Sequence, residues 1–162
     1  MRWKEINEIY KNTDQPVVIS NEPKNHNLLN KISIPNSDFI SITEFKDFSH
    51  DEIGIYYKDS MIGFIKFDDS FGVRQTDQIY IEPQYQNKGI MSKVIDWVAN
   101  KGDIYSSGNQ SPSAQGLWKS LIKNTNKVFV FDIINNTEYP AKDVPYSDIW
   151  NNKSNPILRY KK

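Results

Sequence analysis

The sequence predicts a mixed α+β domain, a largely antiparallel twisted sheet flanked by helices on both faces, and three observations carry that prediction. A β-hairpin is legible early: "EIGIYYK" alternates Ile53, Ile55 and Tyr57, "DS" supplies a turn, and "MIGFIKF" returns as a second strand-like run. After the hairpin, strand-like and helix-like runs succeed one another, a pattern that places helices over a sheet. Finally, 162 residues with 38% hydrophobic and 13% aromatic content suffice for one core, and no repeat, charge block or linker divides the chain, so 1–162 reads as a single domain.

Taken in order, "RWKEINEIY" places Trp3, Ile6, Ile9 and Tyr10 at helical spacing and predicts a short amphipathic first helix. From Asn12 to Asp38 the chain is polar, Asn-rich and broken by Pro16, Pro23 and Pro35, which predicts loops around one short strand at "PVVIS". "FISITEF" suits either a strand or a surface turn. Beyond the hairpin and the loop "DDSFGVRQTD", the run "QIYIEP" is a strand stopped by Pro83. A helix then spans about Ile90 to Lys101, with Ile90, Met91, Val94, Ile95, Trp97 and Val98 on one broad stripe and Gly102 beyond its end. "DIYSSG" is short and β-like. In "SPSAQGLWKSLIK", Ser111 is the cap and Pro112 the first helical residue, with Ala114, Leu117, Trp118, Leu121 and Ile122 facing the core. "KVFVFDII" is a strong strand, and the remaining tail is expected to be irregular apart from a last strand at "PILRY".

Composition narrows the function. Twenty basic and twenty acidic side chains cancel, so no net field draws the chain to nucleic acid or an anionic membrane, and no basic cluster interleaves with the aromatic residues. Apolar runs fall short of the roughly 18 residues a membrane span needs. The absence of cysteine excludes disulfides, thiolate metal sites and a cysteine nucleophile, and suits a reducing cytoplasm. His26 and His50 show no ligand spacing, so no metal is expected.

The chemistry-bearing stretch is "QYQNKGIM", residues 84–91, where a strand passes through a tight turn into a helix start. Such a junction leaves main-chain N–H groups without intrahelical acceptors, and those groups attract anions such as phosphate. A P-loop or a dinucleotide-binding turn would need several glycines for close backbone approach, and Gly89 stands alone here. "IYIEPQYQNKGI" instead resembles the strand–Pro–turn signature of the Gcn5-related N-acetyltransferases, whose pyrophosphate turn reads Q/R-x-x-G-x-G/A. Gln86 and Gly89 match it in order and in context. The final position, normally Gly or Ala, is Met91, which either crowds the pyrophosphate or points into the helix–sheet contact. In order of elements the resemblance covers about half the chain, from near Glu52 to near Ile134, and the small, Asn-rich, cysteine-free sequence suits a phage-encoded or mobile-element member.

The resemblance implies a site. Acetyl-CoA would lie along the strand before the turn, where a bulge splays two strands. Ile79, Tyr80 and Ile81 would supply main-chain contacts, with an N–H near Ile81 polarising the thioester carbonyl. Gln86, Asn87, Lys88, Gly89, Ile90, Met91 and Ser92 would take the pyrophosphate. Asn109 and Gln110 occupy the place from which a polar side chain contacts the cofactor in such proteins, or else simply form the turn. Many members use a tyrosine on the following helix as the acid, but Trp118 stands in that place, leaving Tyr105, Ser107, Ser111 and Ser113; among these Tyr105 has the chemistry best suited to a thiolate. Glu82 beside the splay, or Glu52 on the hairpin, is the candidate base. The implied activity is N-acetyl transfer to a primary amine, on a small molecule or a protein, by direct attack on the thioester. A binding module that keeps the fold but has lost the chemistry is the competing expectation. An edge strand near the C-terminus either pairs with a second copy, giving a homodimer, or stays capped.

Overall fold

The computed structural model describes residues 32–33, 40–46, 51–69, 72–108, 110–132, 135–150 and 157–162. The expected first helix, the strand at "PVVIS", both histidines and Asn109 lie outside the described residues.

Among the described residues, nine strands form one sheet: β1 (Ile32–Ser33), β2 (Ile40–Lys46), β3 (Asp51–Tyr57), β4 (Ser60–Asp68), β5 (Gln75–Ile81), β6 (Ile104–Tyr105), β7 (Val128–Asp132), β8 (Thr137–Pro140) and β9 (Ile157–Tyr160). Their spatial order is β1-β2-β3-β4-β5-β6-β9-β7-β8. Every neighbouring pair is antiparallel except β5 with β6. The mixed α+β class with a mostly antiparallel sheet is therefore as expected.

The hairpin of β3 and β4 turns on two residues between the paired Tyr57 and Ser60, and Lys58 takes the left-handed conformation (φ 54°) that such tight turns require. "FISITEF" proves to be a strand: β2 pairs with β3 along its whole length and buries Ile40, Ile42 and Thr43.

Helix α1 (Ile90–Ala99) buries Met91, Val94, Ile95, Val98 and Ala99, a stripe at 3–4 residue spacing. Trp97 packs at the core's margin with the Lys101 Nζ 4.3 Å above its ring, so it belongs to the border and not to the interior. Helix α2 (Pro112–Asn124) begins as its sequence dictates, with Ser111 Oγ accepting the Ala114 N–H at 3.2 Å. It sends Trp118, Leu121 and Ile122 into the same core as Ile42, Ile53, Ile55 and Ile65. No helix among the described residues is long and apolar enough to cross a membrane.

The tail departs from expectation in two ways. Thr137–Pro140 is a strand and Tyr146–Ile149 a one-turn helix, α3, in a stretch expected to be irregular. The strand at "PILRY" exists, but it is interior: β9 lies between β6 and β7, and β8 holds the sheet's edge. The edge near the C-terminus is therefore formed by an exposed four-residue strand ending in Pro140, which lacks an N–H to offer a further chain.

Candidate functional site

The site is organised by the one parallel strand pair. β5 runs from Gln75 to Ile81, yet only Gln75 stands in register with β6, opposite Tyr105. The strands part because β5 carries an extra residue against β4: Lys66 faces Gln78 and Phe67 faces Thr76, leaving Asp77 as a bulge. A bulge bends its strand and sharpens the local twist, turning β5 away from β6. At the apex, side chains supplement a single main-chain bond. Gln75 Nε2 donates to Ser106 O at 2.8 Å and Thr76 Oγ1 to Tyr105 O at 3.3 Å, while the Tyr105 N–H reaches Arg74 O at 2.9 Å.

Past the bulge, the phase of the β4–β5 ladder shows which main-chain groups enter the gap. The Glu82 N–H donates to Ile62 O at 2.8 Å. In an antiparallel pair hydrogen-bonded and non-bonded positions alternate, so Tyr80 turns its N–H and C=O to Phe64 on β4, whereas Ile79 and Ile81 turn theirs away from β4 toward the opening. Of the three residues expected to line this edge, Tyr80 is thus committed to the sheet. Its ring lies 5.6 Å from that of Phe64.

At the end of β5 the chain makes a single 3-10 turn, Pro83–Tyr85, and enters α1 at Ile90. The Tyr85 and Gln86 N–H groups are used within this turn, by Glu82 O and Pro83 O, so Gln86 gives no main-chain donor to a ligand. Its side chain instead fastens the turn to the strand end, with Nε2 donating to Ile81 O at 3.0 Å. Asn87 (φ 58°) and Gly89 (φ 73°) are both left-handed, which gathers successive N–H groups on one side. The first helical bond runs from the Lys93 N–H to Gly89 O, and Gly89 provides no side-chain cap. The N–H groups of Asn87 to Ser92 therefore have no acceptor among the described residues, as at any helix start without a side-chain cap. Lys88 Nζ sits 5.6 Å over the Tyr85 ring. Met91 is 8% exposed and belongs to the core, so the side chain that departs from the motif faces the sheet while its N–H stays with that unpaired set.

The expected catalytic residues are not brought together. Tyr105 stands beside Gln75 at the closed end of the gap, and Glu82 follows Ile81 at the open end. The seven-residue separation along β5 is roughly 20 Å at the usual strand rise, too far for acid and base to serve one reacting centre. Glu82 Oε2 accepts from Gln84 Nε2 at 2.9 Å beside the turn, and Glu52 is buried on β3 directly opposite Lys66. Tyr105 is half-buried, edge-on to Phe131 at 6.5 Å, with the Arg159 guanidinium 5.5 Å from its ring centre. Trp118 is 1% exposed and purely a core residue. Ser111 is spent as the α2 cap.

The resemblance implied a bulge on this strand, but sequence reasoning missed that Asp77 forms it. Asp77 is half-buried; burial, with Asp68 adding repulsion, raises its carboxyl above the ordinary range, and Lys66 offsets this only in part. Its neighbour Gln78 faces Lys66 across the ladder, and its Oε1 is shut off from solvent with no hydrogen-bond partner. Local sequence held no sign of either role, because "QTDQIYI" gives no indication of which residue a partner strand will leave unpaired.

No family model matches this chain, and no curated protein sequence does. Among solved structures it is similar to the ribosomal-protein-S18-alanine N-acetyltransferase from Escherichia coli, at 13% identity and a TM-score of 0.38 over 71% of this chain and 70% of that one.

Proposed function

We propose that the chain is an acetyl-CoA-dependent N-acetyltransferase of the Gcn5-related kind, acting on a primary amine. The observation that carries this reading is a bulge-parted strand pair whose open edge leads directly into a socket of unpaired N–H groups. The arrangement fits a ligand with an extended amide-bearing arm and a diphosphate. Ile79 offers its N–H and C=O and Ile81 its N–H, the Ile81 carbonyl being taken by Gln86, and Asn87 to Ser92 offer donors at the helix start. Space beside Gly89 is open, since a Cβ built there would meet nothing within 4 Å.

When bound, acetyl-CoA supplies a thioester whose acetyl carbon an amine can attack. The residues of this chain supply the rest. An N–H from Ile79 or Ile81, fixed in place by the β4–β5 ladder, is a preorganised donor for negative charge growing on an oxygen in the cleft. Asp77 is better placed at the bulge than Glu82 to take a proton from an incoming ammonium, and its raised pKa moves it toward a base that works near neutrality. Tyr105, opposite Gln75 and two residues along β5 from Asp77, is the phenol proposed to return a proton. An enzyme drawing on acetyl-CoA would work in the cytoplasm, which the cysteine-free sequence also suits.

One pair of observations favours a silent binder instead: Trp118 is entombed where such proteins place a phenol, and the Tyr105 ring is already held by Phe131 and Arg159. Melting with and without acetyl-CoA tests the common premise. Ligand at about 100 times its Kd adds about 2.7 kcal/mol, a rise of roughly 5–10 °C for a chain of this size. An unchanged melt at millimolar acetyl-CoA defeats both readings. A shift without acetyl transfer to any of a panel of primary amines leaves the binder.

A further inference from the structure

We infer that Gln78 is a specificity residue, its buried Oε1 accepting a hydrogen bond from the ammonium of an aliphatic primary amine that enters beside Asp77; this rests on the acetyltransferase reading. Three features of the strand face bearing Gln78 point the same way. Gln78 and Tyr80 lie opposite Lys66 and Phe64, and the Phe64–Tyr80 ring pair at 5.6 Å gives this face an aromatic wall over which the Lys66 Nζ already sits, 5.3 Å from the Phe64 ring centre. Gln78 Oε1 is the one side-chain polar atom among the described residues that is buried without a partner, and such an orphan is normally penalised by about 1–3 kcal/mol. A carboxylate adjoins it at the bulge, half-buried and near a second carboxylate, Asp68.

Lys66, across the ladder from Gln78, answers the negative charge of Asp77 and Asp68 only in part and hydrogen-bonds neither Gln78 nor Asp77. The unmet demand at this spot is thus for N–H donors and a second positive charge. An alkylammonium supplies both: its N–H groups complete Gln78 and Asp77, and its hydrocarbon chain suits the aromatic wall. A hydroxyl of the same shape brings one donor and no charge, and a site built for hydrogen bonding discriminates strongly against a partner that leaves its polar atoms unmatched. For transfer, the ammonium loses one proton to the Asp77 carboxylate. The neutral nitrogen then forms the C–N bond, the C–S bond breaks, and the second proton shed by the nitrogen passes to the leaving sulfur.

Two experiments test this. In the first, wild-type protein saturated with CoA is titrated with n-butylammonium and with n-butanol. Binding of the ammonium at least tenfold tighter than the alcohol supports the inference; equal affinity, or no ammonium binding by protein that does bind CoA, overturns it. In the second, Gln78→Met removes the acceptor and Gln78→Glu keeps it. The methionine variant should raise the KM for butylamine at least tenfold, leave the KM for acetyl-CoA unchanged and melt no lower than wild type, while the glutamate variant stays within about threefold of wild type for the amine. An unchanged amine KM in Gln78→Met refutes the assignment. Absence of any CoA-induced melting shift in wild type instead overturns the acetyltransferase reading and this inference with it.

Discussion

Alanine at Gly63 should damage the wall of the cleft, whereas the same substitution at Gly116 should strengthen the fold. A Cβ at Gly63 would stand 2.4 Å from Tyr80 O and 3.1 Å from Ile81 Cα, both main-chain atoms that cannot rotate aside. Restoring contact requires β4 and β5 to separate by more than ~0.5 Å where the ladder fixes Ile79 and Ile81, and overpacking of this kind costs about 1–3 kcal/mol. For a chain of this length that lowers Tm by roughly 3–10 °C. Gly116 lies exposed inside α2, where an added Cβ meets nothing within 4 Å, so alanine there removes only unfolded-chain freedom and adds about 0.5–1 kcal/mol. Calorimetry and urea unfolding of both variants measure the pair, and the acetyl-CoA-induced shift should shrink in Gly63→Ala alone. A Gly63→Ala protein as stable as wild type would refute the close approach of β4 and β5.

Three further outcomes are expected. Asp77→Asn should stabilise the protein at neutral pH, because a carboxyl with a raised folded pKa opposes folding once ionised; the advantage over wild type should vanish as pH falls below the ordinary Asp value of about 3.9, and a constant advantage down to that pH would contradict a buried carboxylate. Tyr160→Phe should cost about 1 kcal/mol at pH 7, since the fully buried Tyr160 donates at 2.8 Å to Asp96, a part-exposed carboxylate screened by water. Lys127, bonded to the same oxygen, lowers the Asp96 pKa, so this penalty is present above the ordinary Asp range and is lost as pH falls through the lowered value; urea titrations at several pH values follow it. Gly89→Ala should lower stability by about 1–2 kcal/mol through left-handed strain and weaken the acetyl-CoA-induced shift, and an undiminished shift would separate the socket from cofactor binding.

What the sequence disclosed was what is local. The stop at Pro83, the turn and the start of α1 follow from neighbouring residues, as does the capped entry to α2 at Ser111. The core role of Met91 was also readable, since it shares the stripe of Val94, Ile95 and Val98. Relations between distant segments stayed hidden. Asp77 becomes a bulge only through the register of β4, and Tyr105 lands at the apex only because β6 meets β5 at Gln75. β8 was missed because "TEYP" has no alternation; the Asn135–Asn136 pair before it was the available turn signal, and Asn136 is indeed left-handed (φ 50°).

The position of β9 has a consequence for assembly. β6 and β7 are not neighbours; each meets β9, through Tyr160 and Arg159 on both sides. Ile157 to Tyr160 therefore act as a keystone, and the region from β6 to β8 cannot close until they arrive. A chain lacking them would present two unfilled strand edges at once, so removing Ile157 to Tyr160 should yield insoluble product before it yields a weakened fold.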